Sequence, residues 1–101
     1  MTKDIQTLSA AAFRPFLGQD FLVQFPGGGS TVAQLAEVVD LPAYPGLARQ
    51  PFSIVLQTSQ LTTYYPQAIY TIEHPAWTPL SLFLVPLGVT GKGMQYEAVF
   101  S

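Results

Sequence analysis

Hydrophobic and polar positions alternate with a period of two along much of this chain, in short runs separated by Pro and Gly. In QAIYTIEH (Gln67 to His74), Ala68, Tyr70 and Ile72 fall on one face while Ile69, Thr71 and Glu73 fall on the other, as in a pleated strand. MQYEAVFS (Met94 to Ser101) alternates Tyr96, Ala98 and Phe100 with Glu97 and Val99. FSIVLQT (Phe52 to Thr58) sets Phe52, Ile54 and Leu56 against Ser53 and Gln57, and DFLVQF (Asp20 to Phe25) sets Phe21, Val23 and Phe25 against Leu22 and Gln24. LSLFLVPLG (Leu80 to Gly88) is apolar on both faces, which predicts a central strand covered on both sides. TVAQLAEVVDL (Thr31 to Leu41) is ambiguous, because Val32, Ala36 and Val38 fit a strand while Leu35, Val38 and Val39 suit a helix. The Gly-rich turn before it and the β-branched residues at both ends favour a strand.

The segments between these runs read as connections. PGGGS (Pro26 to Ser30) is a flexible hairpin loop, TGKG (Thr90 to Gly93) a tight turn, and PAYPGLARQP (Pro42 to Pro51) a connection punctuated by three prolines. SQLTTYYP (Ser59 to Pro66) is a polar and aromatic loop, and HPAWTP turns the chain with Pro75 and Pro79 bracketing Trp77. Near the start, Thr7 or Ser9 can cap a short helix through LSAAAFR until Pro15 interrupts it. So short a helix must be held by packing, with Leu8, Phe13, Phe16 and Leu17 as its contacts. About six strands joined mostly by short turns predict an all-β fold. The expected form is a compact antiparallel β-barrel or sandwich with one short N-terminal helix, in a single domain over residues 1–101.

Composition sharpens this picture. Only 10% of residues are charged against 49% hydrophobic and 13% aromatic, where soluble domains usually carry roughly a quarter charged. Either a partner covers part of the surface, or the nine Gln residues with Thr and Ser supply the wetted face. The net charge of −2 and the separation of Lys3, Arg14, Arg49 and Lys92 leave no basic footprint for nucleic acid. Without cysteine there is no disulfide, thiolate nucleophile or sulfur-ligated metal, which suits a reducing compartment. MTKDIQTLSAAAF lacks the apolar stretch of a classical signal peptide. The longest apolar run, LFLVPLGV, falls well below the roughly 18 residues of a membrane helix. The expected location is the cytoplasm or an assembled particle, with no membrane span.

Reactive chemistry is sparse. His74 is the single imidazole; it would serve as a base only with an acid or a serine beside it, and Glu73 points to the opposite face of the strand. The alternative is that His74 hydrogen-bonds a loop carbonyl and fixes the turn into Pro75. One His plus carboxylates makes a poor zinc set, and no calcium-loop pattern occurs. GVTGKG lacks the Lys-Ser/Thr of a phosphate-binding loop. Glu37, Glu73 and Glu97 lie on three separate predicted strands, with nothing to bring two of them across a cleft. The expectation is a protein that is not an enzyme and uses no cofactor or metal. Trp77, Tyr64 and Tyr65 are the candidate binding residues, because large aromatics in Pro-bracketed loops are typical interface anchors. The competing reading has these rings plugging the ends of a barrel.

Taken in order, FLGQDF (16 to 21), EVVDL (37 to 41), RQPFSIVL (49 to 56), YPQAIYTIEHP (65 to 75), LFLVPLG (82 to 88) and YEAVF (96 to 100) resemble a family of small bacterial domains of unknown function. The resemblance runs from about Leu8 onward. Ala68 and Ile69 precede Tyr70 where that family commonly has a glycine, which leaves the shape of the strand entry open. No catalytic residues come with the resemblance. It implies a bacterial or phage origin, a stand-alone domain, and relatives that accompany phage-tail-like or tail-collar proteins. The expected function is therefore a non-enzymatic structural or protein-interaction module that self-associates or docks on a partner through an apolar strand edge or its aromatic loops. Two alternatives stand beside it: a barrel binding a sugar or lipid-like ligand, and a hydrolase built on His74.

Overall fold

The structure is a computed structural model that describes residues 8–42, 45–46, 50–59 and 68–100. A four-residue helix α1 (Ala10–Phe13) and a 3₁₀ turn (Arg14–Phe16) lead into six strands: β1 (Asp20–Gln24), β2 (Ser30–Asp40), β3 (Phe52–Gln57), β4 (Ala68–His74), β5 (Trp77–Val89) and β6 (Met94–Phe100). All neighbours are antiparallel, and the order β1-β2-β3-β6-β5-β4 closes into a barrel. Two three-stranded meanders, β1-β2-β3 and β4-β5-β6, are thus sealed by the β3–β6 and β1–β4 pairings. The barrel alternative holds over the sandwich, and a closed barrel leaves none of the six strands at a free edge. Docking through a strand edge loses its basis for that reason.

The middle strand of each meander is long, and its two halves serve different neighbours. Ser30–Gln34 pair with β1 and Gln34–Asp40 with β3; Trp77–Leu84 pair with β4 and Val85–Val89 with β6. Each strand carries a register shift close to the changeover, between Leu35 and Glu37 in β2 and between Pro86 and Gly88 in β5. One extra residue bends a strand and raises its twist, which is how a small barrel turns its corners. Gly88, with φ at +146°, stands at the second corner in backbone space that a side chain rarely tolerates. The bulge in β2 also explains its ambiguous sequence. Ala33 and Leu35 are buried at a spacing of two, but the next residue packed on the core is Val38, three positions on. A bulged strand there imitates helical spacing.

The turns follow their residues. Gly28 N–H donates to the Phe25 carbonyl and Phe25 N–H to the Gly29 carbonyl, both at 3.0 Å, with Gly28 at φ +98° in the manner of a three-residue hairpin loop. At the other tight turn, Thr90 N–H donates to Gly93 at 2.8 Å and Lys92 N–H donates to the Thr90 hydroxyl at 3.1 Å.

Inward positions fill the barrel with side chains. Phe21, Phe52, Leu35, Ile54, Leu56, Leu82 and Leu84 are essentially inaccessible. The N-terminal segment closes one end, where Phe13 is wholly buried and lies 4.8 Å from Trp77, 5.5 Å from Phe100 and 5.8 Å from Phe52 between ring centroids. Ser9 occupies the helix N-cap in extended backbone, but its side chain makes no capping bond; its carbonyl accepts the Ala12 N–H instead. Thr7, the other expected cap, lies outside the described residues. Leu17, expected to hold the helix, is exposed, because the 3₁₀ turn releases the chain toward β1 just before it.

LSLFLV does not become a strand covered on both sides. Leu80, Leu82 and Leu84 face the interior, but Phe83 is 50% exposed. A barrel six strands around has one wall, and among the described residues no second layer covers the outside of β5. The doubly buried strand is β3, in which Ser53 and Val55 are nearly as inaccessible as Phe52, Ile54 and Leu56.

Candidate functional site

Trp77 is the first residue of β5 and not a loop residue, because the turn that precedes it is confined to Pro75 and Ala76. Its register partner is His74, and its ring is buried at 8% exposure. The 3₁₀ turn brings Phe16 edge-on to both, at 5.0 Å from Trp77 and 4.9 Å from His74, and Phe21 of β1 completes the cluster at 5.8 Å and 5.0 Å. Aromatic edges meeting faces at these distances add to the burial itself.

His74 has both ring nitrogens engaged. Ala76 N–H donates to Nδ1 at 3.0 Å, and Nε2 meets the Gln19 Oε1 at 2.8 Å. An accepting Nδ1 puts the proton of the neutral ring on Nε2, which then donates to the amide oxygen. The ring therefore fixes the turn into Pro75, by accepting a loop N–H and not by donating to a loop carbonyl. The carboxylate of Glu73 takes the Gln24 side-chain amide instead. Among the described residues, neither a carboxylate nor a hydroxyl is bonded to the imidazole.

Outside this cluster, a groove of about 410 Å³ runs along the β1–β4 seam, lined by Leu22, Glu73, His74, Pro75, Trp77 and Pro79. The seam is the shortest pairing of the barrel, with three register pairs from Leu22↔Glu73 to Gln24↔Thr71. Its walls combine an indole edge and two prolines with one carboxylate. Among the described residues, no three of His, Cys, Asp or Glu gather where they could hold a metal ion.

A second feature lies on the outer wall. Ile69 pairs with Phe83, and both face outward. Along β5 the outward positions continue through half-buried Val85 to Leu87 at the bulge, Val99 stands on the adjoining β6, and Val89 is exposed at the end of the strand opposite Met94. Ile69, Phe83, Leu87, Val89 and Val99 are each at least 50% exposed. The one charge beside this stripe within the ladder is Glu97, the partner of Val85. Isolated exposed apolar residues are ordinary, whereas a contiguous stripe marks a contact surface.

The model of the family described as Domain of unknown function (DUF6916) matches residues 8–100. The chain belongs to this family. No curated protein and no solved structure matches the chain.

Within this DUF6916 domain, the three residues singled out from the sequence have different outcomes. Trp77 lines the groove with His74. Tyr64 and Tyr65 fall outside the described residues. No described helix of the DUF6916 domain is long and apolar enough to cross a membrane. The residues that sequence reasoning passed over are Ile69, Phe83, Leu87, Val89 and Val99. For Phe83 and Leu87 the signal was the apolarity of LSLFLVPLG, which was read as a strand covered on both sides, whereas Phe83 and Leu87 are each 50% exposed.

Proposed function

We propose that this domain is a non-enzymatic structural or protein-interaction module that docks on a protein surface through the outer wall of β4, β5 and β6. The observation that carries this reading is the apolar stripe of Ile69, Phe83, Leu87 and Val99, exposed on a chain with only 10% charged residues. The motif resemblance, which implies relatives that accompany phage-tail-like proteins, favours a partner that is a component of a bacterial or phage-tail-like assembly. Light scattering after size exclusion, with pulldown from the native host, tests it. The wild-type chain should associate, and Phe83→Lys should lose the contact while keeping its fold. A strict monomer that captures nothing through Phe83 overturns the proposal.

A second reading is favoured by the groove beside Trp77, whose apolar walls and Glu73 carboxylate suit a sugar or lipid-like ligand. Trp77 is the single tryptophan, so its fluorescence reports on the groove directly. Saturable changes on titration with monosaccharides or fatty acids support this reading, and an unresponsive spectrum removes it.

A further inference from the structure

We infer that the turn between β4 and β5 is a pH-sensitive latch: charging the His74 ring breaks the bond that holds Ala76 and frees the end of the hairpin that carries Trp77. The latch lies beside the groove and is independent of any contact made by the outer wall of β5. Ala76 N–H donates to Nδ1 at 3.0 Å, and Nε2 lies 2.8 Å from Gln19 Oε1. With Nε2 already carrying the proton of the neutral ring, the next proton can go only to Nδ1. That nitrogen then becomes a donor aimed at another donor. The Nε2 bond survives, because an imidazolium still donates to the Gln19 oxygen. Phe16 and Phe21 stand 4.9 Å and 5.0 Å from the ring between centroids and hold it in place. The turn gives way instead.

The backbone around this turn is poorly placed to compensate. Pro75 and Pro79 have no N–H to donate. The β4–β5 ladder shifts register between Ile72 and His74, so its last pair, His74↔Trp77, lies beyond an irregularity. Trp77 follows Ala76 directly. Its ring lies 4.8 Å from Phe13 and 5.0 Å from Phe16, and it lines the groove with His74 and Glu73. Loss of the Ala76 bond therefore reaches both the aromatic end of the barrel and the groove. The closed turn binds one proton fewer than the open one, so falling pH favours the open form. Histidine ordinarily changes charge between about pH 5 and 8, and His74 is the single one in the chain. The charged residues on the elements packed against its ring are Glu73 of β4, Asp20 of β1 and Arg14 of the 3₁₀ turn; β5 carries none. Glu73 takes the Gln24 amide, and Arg14 is paired with Asp40 at 2.8 Å.

Isotope-labelled wild-type chain, followed by NMR from about pH 8 down to about pH 5, tests this. At the upper end the ring should show the neutral Nε2–H tautomer and the Ala76 amide should be protected from hydrogen exchange. As the ring charges, the Ala76 protection factor should fall at least about five-fold, the worth of one hydrogen bond. The near-ultraviolet circular dichroism of Trp77, the single tryptophan, should change with the same midpoint. His74→Asn keeps an acceptor near the Nδ1 position and cannot be charged, so both signals should stay constant over this range. Glu73→Gln should leave the transition in place. A ring still neutral at the acid end overturns the inference, and so does an Ala76 amide still protected beside a charged ring. The second result would reduce any change at Trp77 to quenching by the imidazolium. A transition that survives in His74→Asn, or vanishes in Glu73→Gln, assigns it to another group and overturns the inference too. If His74→Asn fails to fold, the wild-type exchange data decide alone.

Discussion

Strands β3 and β5 look alike as sequence, yet one is buried on both faces and the other on one. In β3, the outward residues Ser53 and Val55 are 3% and 4% exposed. In β5, the outward Phe83 and Leu87 are each 50% exposed. The inward faces do not differ, since Ile54 and Leu84 are equally inaccessible. Part of the difference lies in the neighbours. Ser53 stands between Val39 and Val99, and Val55 between Glu37 and Glu97, so small outward groups are flanked on both sides by larger or longer ones. On β5 the outward Phe83 stands beside Ile69, and both are at least half exposed. Outward burial thus differs between two strands of similar apolarity, and apolarity along one strand does not predict it.

The sharpest way to break this comparison is a charge placed on the outward face of β3. Val55→Asp buries a carboxylate between Glu37 and Glu97, with desolvation and like-charge repulsion acting together. The expected loss is about 4 kcal/mol in urea unfolding. Phe83→Asp on β5 should cost less than about 1 kcal/mol, because that side chain already meets water. Equal losses at the two positions would show that the contrast in exposure carries no energetic meaning.

The inward faces supply the matching control. Ile54→Ala and Leu84→Ala each remove a wholly buried branched side chain from the barrel interior, and each should cost about 3 kcal/mol by the shift of the denaturation midpoint. A clear inequality would mean that the two walls collapse differently around a cavity.

Much of this fold was legible because burial on the inward face is periodic. The strands read as Phe52 to Thr58 and Met94 to Ser101 are observed as Phe52–Gln57 and Met94–Phe100. What could not be read depended on pairing between distant segments. Pro79 was read as closing the turn that holds Trp77, yet β5 starts at Trp77 and runs through Pro79 and Pro86 to Val89. Its start is set by the His74↔Trp77 pair, and its second half is carried past Pro86 by a bulge. The groove was half legible. Trp77 and His74 were singled out for their chemistry, but Leu22 joins them only because β1 pairs with β4, across about fifty positions of sequence. The outer stripe was misread for the same reason, since the exposure of Phe83 is set by what packs on the barrel wall and not by its own strand.

A smaller effect separates the lower ends of the two strands. Gln57, at the end of β3, donates to the Thr58 and Gly93 carbonyls at 2.9 and 3.0 Å and accepts from Gln95 at 2.9 Å. It thereby ties β3 to the β5–β6 turn. Gln57→Ala should cost about 1 kcal/mol in thermal or urea unfolding, the net worth of such bonds when both sides are partly wet. Gln95→Ala should cost less, because it removes one bond from a network in which Gln57 keeps its backbone acceptors. A Gln57 variant as stable as the wild type would leave the turn held by its own Thr90 contacts alone.

The smallest expected stability change is the most informative about function. Phe83→Ser removes a ring that is half in water and whose register partner, Ile69, is 57% exposed. At low protein concentration its unfolding free energy should stay within about 0.5 kcal/mol of the wild type. At high concentration the two should diverge, because association stabilises only the species that can associate and makes its melting temperature depend on concentration. A wild-type midpoint that rises with concentration while the Phe83→Ser midpoint stays flat separates a contact surface from a core. A Phe83→Ser chain that is already several kcal/mol weaker when dilute would place Phe83 among the residues holding the fold, and the contrast between β3 and β5 would disappear with it.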